Sequence, residues 1–236
     1  VNTQKGIFIL SASFVVGLVS VGLILRNAVL KYRAYERTVQ VKGLAEREYN
    51  ANVVMWTIGI IESSADISLT YSKLDRSIKK INGFLTEKGI ASSEISFSMP
   101  TVVDRTLEDR LGSFSGDRYA GSQAVIVYST NVPLVQEIMP KLSELGKEGI
   151  AILPSGYEYP TEYLFTALND IKPEMIQEAT ANAREAALKF AQDSKSKLGK
   201  IKKANQGQFI ISDRDQNNPH LKIIRIVVTI EYYLSD

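Results

Sequence analysis

KIIRIVVTIEYYL, Lys222 to Leu234, carries the cleanest periodicity in the chain. Ile224, Ile226, Val228, Ile230, Tyr232 and Leu234 take one side of an extended backbone, and Arg225, Thr229, Glu231 and Tyr233 take the other. Side chains alternate across a strand, so this pattern predicts a strand inside the main sheet. Ala204 to Ser212 predicts the strand before it. Between the two, Asp213-Arg214-Asp215-Gln216-Asn217-Asn218 opens like a calcium loop, with Asp213, Asp215 and Asn217 at the first oxygen positions. The likeness then fails, because Asn218 stands where the turn glycine belongs and Ile224 where the bidentate glutamate belongs. A polar hairpin turn needs no metal, and none is expected.

Outward from this hairpin, three amphipathic stretches predict helices that cover a sheet. The longest runs from Lys172 to Leu198, with Pro173 and Glu174 in its first turn and Gly199 at its end. Its stripe is mostly small, Ala179, Ala183, Ala186, Ala187 and Ala191 with Met175, Phe190 and Leu198, which permits close approach to a sheet or another helix. Lys195, Lys197, Lys200, Lys202 and Lys203 gather at its C-terminal end, where positive charge suits the helix dipole. A patch for anionic lipid is the sharper reading of the same lysines. A second helix starts from Asp66 as N-cap, carries Ile67, Tyr71, Leu74, Ile78, Ile81 and Leu85 as its stripe, and stops at Gly89. Asn131 caps the third, with Pro133 early, Val135, Ile138, Leu142 and Leu145 inward, and a kink expected at Pro140.

The remaining strands read as Thr38 to Gly43, with Gly43 a bulge or bend, and Ala51 to Glu62, whose Val54, Trp56, Ile58 and Ile60 share a core face. Glu94 to Asp104 and Tyr119 to Thr130 form a hairpin around a long polar loop, Arg105 to Arg118, which is a candidate contact surface. Ile150 to Leu153 and Glu158 to Ala167 flank the turn Pro154-Ser155-Gly156. Tyr157, Tyr159 and Tyr163 there read as packing residues rather than a sugar-gripping cluster. The order is two strands then a helix, three times, followed by two strands. That predicts an α+β fold of antiparallel strand pairs with helices packed on one side.

Composition bounds the chemistry. The chain has 236 residues, 23% of them charged, and a net charge of +2, which gives no concentrated basic face of the kind nucleic acid requires. With no cysteine and one histidine, His220, disulfides, thiolate nucleophiles and Cys/His zinc sites are excluded within one chain. A serine triad would have to use His220, which sits beside Pro219, and no Gly-x-Ser-x-Gly elbow is present. Glu46 and Glu48 flank Arg47 and read as surface charge. No catalytic, cofactor-binding or metal residue is expected, and no enzyme. The surviving enzymatic alternative is a hydrolase whose carboxylates come together from distant segments near Asp213 and Asp215.

Far from the hairpin, Ile7 to Leu25, IFILSASFVVGLVSVGLIL, contains no charged residue. About 19 residues at about 1.5 Å each span about 29 Å, a bilayer's hydrocarbon thickness, so residues 1–28 predict a transmembrane anchor. A cleaved signal peptide is the rival, but Arg26 to Arg33 offers no small-x-small cleavage site. Residues 29–37, basic and aromatic, read as a juxtamembrane stalk, and residues 38–236 as the folded domain. Lys5 precedes the span whereas Arg26, Lys31, Arg33 and Arg37 follow it, which by charge alone puts the domain in the cytoplasm.

Three stretches resemble the bacterial SIMPL-domain family: VKGLAEREYNANVVMWTI from Val41, YLFTALNDIKPEMIQEATANAREAALKFAQDS from Tyr163, and IRIVVTIEYYL from Ile224. The resemblance extends over Thr38 to Leu234. It implies a cell-envelope protein of Gram-negative bacteria with its domain in the periplasm, against the charge count, and so a single-pass inner-membrane location. It further implies ring-like homo-oligomers and, in some members, a link to oxidative stress; it supplies no catalytic residues. The resulting expectation is a non-enzymatic, membrane-anchored protein that self-assembles as a scaffold or ring. The alternative is a binding module or accessory subunit of a larger membrane complex.

Overall fold

The computed structural model describes residues 13–28, 37–107, 116–156 and 158–235. Helix α1 covers residues 13–28, with every side chain exposed. Among the described residues no helix is long and apolar enough to cross a membrane. Residues 7–12 of the apolar stretch, most of the stalk, the loop tip at 108–115 and Tyr157 lie outside the described residues.

In chain order the strands are β1 (Thr38–Asn50), β2 (Val53–Ser64), β3 (Ile95–Phe97), β4 (Thr101–Asp104), β5 (Tyr119–Ser129), β6 (Thr161–Leu164), β7 (Lys197–Gln206), β8 (Ile210–Asp213) and β9 (Leu221–Ser235). The further helices are α2 (Ile67–Glu87), α3 (Val132–Ile138), α4 (Ser143–Lys147) and α5 (Leu168–Asp193). The expected α+β class with antiparallel sheets is present. Its order differs from a threefold strand-strand-helix pattern: the second strand group has three members, β3 to β5, and a single strand, β6, precedes α5. The chain divides into two compact units. The first takes the described residues up to Arg47, Ile171–Ile210 and those from Ile224 on; the second takes Glu48–Asp170 and Ile211–Ile223.

The first unit is built on a sheet ordered β1-β9-β7, with α5 as its helix. Ile224, Ile226, Val228, Ile230 and Tyr232 are buried, as the period of β9 predicts. Gly43 is neither bulge nor bend. It lies within a continuous strand, and a Cβ there would stand 1.9 Å from the Ala179 carbonyl oxygen and 2.5 Å from the Ala183 nitrogen. The glycine exists because α5 rests directly on the backbone of β1. Met175, Ala179, Ala183, Ala187 and Ala191 form the buried stripe of α5, while Phe190 is 60% exposed and Ala186 half-buried. Arg47 fixes the pairing, with 2.8 Å to Glu174 and 2.7 Å to Glu178. Asn182 adds a hydrogen bond to the Leu44 carbonyl at 2.8 Å.

α5 begins about one turn before Lys172 and ends at Asp193, not Leu198. Lys195 takes a φ of 55°, and the Ser196 N–H returns to the Ala191 carbonyl at 2.8 Å. Residues Lys197–Gln206 are then a strand, so Leu198, Gly199 and four of the five lysines sit on β7 rather than on a helix end.

The second unit holds the five-stranded sheet, ordered β3-β5-β2-β6 with β4 also on β5. The β2–β5 ladder runs from Val54↔Ser129 to Ser64↔Tyr119. Asp66 caps α2 as expected, its carboxylate accepting from the Leu69 N–H at 2.8 Å, and Gly89 ends it at φ 100°. Leu74, Ile78, Ile81 and Leu85 are buried, but Ile67 and Tyr71 are exposed, and Thr70 and Ser77 take inward places. The cause is proximity: a Cβ on Gly121 of β5 would meet Leu74 at 2.7 Å and Thr70 at 2.9 Å. Only a small side chain fits there, and the Thr70 hydroxyl is satisfied by the Asp66 carbonyl at 3.0 Å.

Glu94 to Asp104 is not one strand. Between β3 and β4 the ladder passes to Ser98, which exchanges backbone and hydroxyl bonds with Ala124 at 2.9 Å, just ahead of Pro100, which has no N–H to give. Ile150 to Leu153 likewise forms only a bridge, Ile60↔Ile152. Pro140 acts as expected: α3 gives way to a 3-10 turn, Met139–Leu142, before α4.

Candidate functional site

The core of the second unit takes Val54, Trp56, Ile58 and Ile60 from β2 and Val125 and Val127 from β5. The alternate positions form the opposite face of the same ladder. Met55, Thr57, Gly59, Ile61 and Ser63 lie opposite Tyr128, Ile126, Ala124, Ser122 and Ala120. None of these ten side chains is charged. Tyr128 is 50% exposed, and Met55, Thr57, Ile61, Ser122 and Ile126 are half-buried. Gly59 is required here, since a Cβ would lie 2.7 Å from the ring of Tyr159, which folds over it. Charge appears at the rim, with Glu162 opposite Met55 and Asp117 accepting from the Ser63 hydroxyl at 2.8 Å. An uncharged centre with a polar rim is the composition of a protein interface.

The first unit's sheet presents a different open face. Gln40 and Lys42 of β1, Thr229 and Glu231 of β9, and Lys203 and Asn205 of β7 line a shallow basin of about 770 Å³. Glu231 accepts from the Thr38 hydroxyl at 2.8 Å and from Lys202 at 3.1 Å, and these donors hold its carboxyl below the usual range. The basin offers polar groups and salt links.

The sequence motifs resolve into structural roles. Asp213 pairs with Lys222, which is buried on β9. The Asp215 carboxylate accepts from Arg214 at 2.8 Å, from the Asn218 side chain, and from the Asn217 and Asn218 N–H groups at 2.9 Å. Those bonds, the Arg214 contact foremost, lower its pKa to about 2. The turn is thus folded around Asp215, and Asn217 donates a backbone N–H to it. Among the described residues no three potential metal ligands stand together. His220 gives its carbonyl to the Ala51 N–H at 2.7 Å and its ring edge to Tyr163 at 6.0 Å. Tyr163 is buried, as the packing reading requires. Glu46 and Glu48 face Arg225 and Arg214 at 4.0 and 3.5 Å, ordinary surface pairs. At the base of the Arg105–Arg118 loop, Arg118 binds Asp104 at 2.7 Å and holds its carboxyl at about 2.

The uncharged face escaped the sequence reading although its signal was present. Met55, Thr57, Gly59, Ile61 and Ser63 interleave with the core residues of β2 and contain no charge. The charge-free pattern lies in the positions that alternate with the apolar period, and each strand carries only half of it.

The family model for SIMPL, a protein of unknown function (DUF541), matches residues 39–221. No curated protein matches the chain. The family match covers well over half of the sequence and includes residues of both units, and the protein belongs to the SIMPL family.

Proposed function

We propose that the protein is a non-enzymatic, membrane-tethered envelope protein that self-assembles through its SIMPL domain, with the globular part in the periplasm and a protective role in the envelope. The observation that carries this reading is the uncharged face of β2 and β5. Two strands at about 4.8 Å and nine residues at about 3.3 Å give an uncharged centre on the order of 300 Å². That is the scale of the charge-depleted core of an interface, with the polar rim making up the rest of the roughly 800 Å² per partner of a standard-size one. Ile7 to Leu25 supports the tether, and many tethered copies gain membrane avidity without strong individual contacts. The engagement of Asp213 and Asp215 in their own hairpin supports a non-enzymatic role.

Light scattering on the 236-residue chain in detergent tests it. A defined multiple of 26.2 kDa is expected for the wild type, and a monomer for Ile126→Glu, which puts an unpaired charge at the centre of the face. A wild type that stays monomeric at high concentration would sink the proposal.

A second reading, an accessory subunit of a larger membrane complex, draws on the Arg105–Arg118 segment, whose ends the Asp104–Arg118 pair clamps together. Cross-linking that captures a different chain through that loop would favour it over self-assembly.

A further inference from the structure

Between Lys195 and Lys203 the chain places five lysines and no acidic residue. On a helix end they would complement a dipole, but four of them belong to β7, whose pairing partner is β9 and whose side chains are exposed apart from Leu198. Register irregularities between Leu198 and Ile201 and between Ile201 and Lys203 interrupt the strict alternation. The ammonium groups are therefore spread over the strand edge instead of being confined to one face. Lys202 is paired with Glu231, whereas Lys195 and Lys200 make no ion pair among the described residues. Ile201 stands in the middle of this run, 51% exposed.

The lysine run also begins where the chain enters the unit. Arg37 donates to the Ser196 hydroxyl at 3.3 Å, and its carbonyl accepts from the Leu234 N–H at 2.8 Å. Only residues 29–36 separate Arg37 from the end of α1. Fully extended at up to about 3.6 Å per residue, that segment reaches roughly 30 Å. A bilayer holding α1 therefore keeps Arg37, and the lysines beside Ser196, within that distance of its headgroups.

We propose that the basic edge of β7 docks on the anionic headgroups of the bilayer that holds α1, an inference that rests on the tether reading above. The tether raises the effective concentration of the lipid surface, so individually weak lysine contacts suffice. Ile201 among the lysines distinguishes a bilayer from a soluble polyanion, because an apolar side chain gains contact at the headgroup boundary and nothing from a polyanion.

Lysine acylation read by mass spectrometry tests this on the 236-residue chain in nanodiscs of neutral lipid and in nanodiscs with about 30% anionic lipid. Reactivity at Lys195, Lys200 and Lys203 is expected to fall roughly five-fold or more in the anionic discs, the factor to be gained from one basic residue near an anionic leaflet. It should recover at about 1 M salt, where charges are screened beyond about 3 Å. Lys200→Gln with Lys203→Gln should restore the neutral-disc reactivity at Lys195. Retention in the discs with an unchanged footprint would overturn this inference alone. Loss of the chain from neutral discs in high salt would overturn the tether and this inference with it. Equal protection in neutral discs on adding inorganic polyphosphate would overturn the bilayer as the occupant.

Discussion

Both units place helix on sheet, yet they join the two layers by opposite means. In the first, α5 meets β1 through Gly43 and a stripe of alanines, and the layers touch backbone to backbone. In the second, α2 drives Leu74, Ile78, Ile81 and Leu85 into a core with Trp56 and Ile58, and the layers interdigitate. The open faces differ as sharply, charged on β1 and β9, uncharged on β2 and β5. Close approach leaves no room for error in volume, while interdigitated cores lose stability in proportion to what is removed. The α5–β1 contact should therefore be sensitive to added atoms, and the second unit, away from Gly59 and Gly121, to deleted ones.

The largest effect is expected from Gly43→Val. Valine favours strands, and on an open strand the change would be neutral or stabilising. Here its Cβ meets a backbone carbonyl at 1.9 Å, an obstacle that no rotamer avoids. Overpacking against side chains costs about 1–3 kcal/mol, and against backbone at least about 4 kcal/mol is expected. Urea unfolding followed by far-UV circular dichroism should lose the α5 signal early, while fluorescence of Trp56, the one tryptophan and a member of the second unit, keeps its midpoint. A Trp56 transition displaced as far as the dichroism would break the comparison.

Ile81→Ala probes the other side. Ile81 is fully buried in the α2 core, and deleting its branched side chain should cost about 3 kcal/mol through lost burial and a residual cavity. The Trp56 midpoint should fall accordingly. A change below about 1 kcal/mol would mean that α2 collapses onto its sheet as closely as α5 does on β1.

How much of this was legible depended on whether the cause was local. The period of β9 and the cap of α2 each rest on neighbouring residues and are legible in the sequence, whereas the α2 stripe is legible only from Leu74 on, Ile67 and Tyr71 being exposed. Gly43 suggests a bulge or bend from sequence alone because the reason for it, the Ala179 carbonyl, is far away along the chain. The end of α5 was misplaced for a similar reason. Lys195 holds the left-handed conformation usually left to glycine, and the lysine-rich segment after it has good helix propensity. Pairing with β9, a tertiary fact, makes it a strand. The uncharged face needed β2 and β5 in register before its two half-patterns became one surface.

The smallest effect is the most exact test of the contrast, because it uses the same residue type. Gly83 lies within α2, half-buried, and a Cβ there would meet nothing within 4 Å. Glycine in a helix interior costs roughly 0.5–1 kcal/mol relative to alanine, largely through the freedom it gives the unfolded chain. Gly83→Ala should therefore raise the Trp56 midpoint by that amount, while Gly43→Ala, one methyl group added to β1, lowers the stability of its unit. The two substitutions change sequence identically and differ only in what stands opposite the new carbon. If Gly83→Ala destabilised, α2 would have to lie as close to its neighbours as α5 does. The division between a unit built on contact of backbones and one built on side-chain volume would then no longer hold.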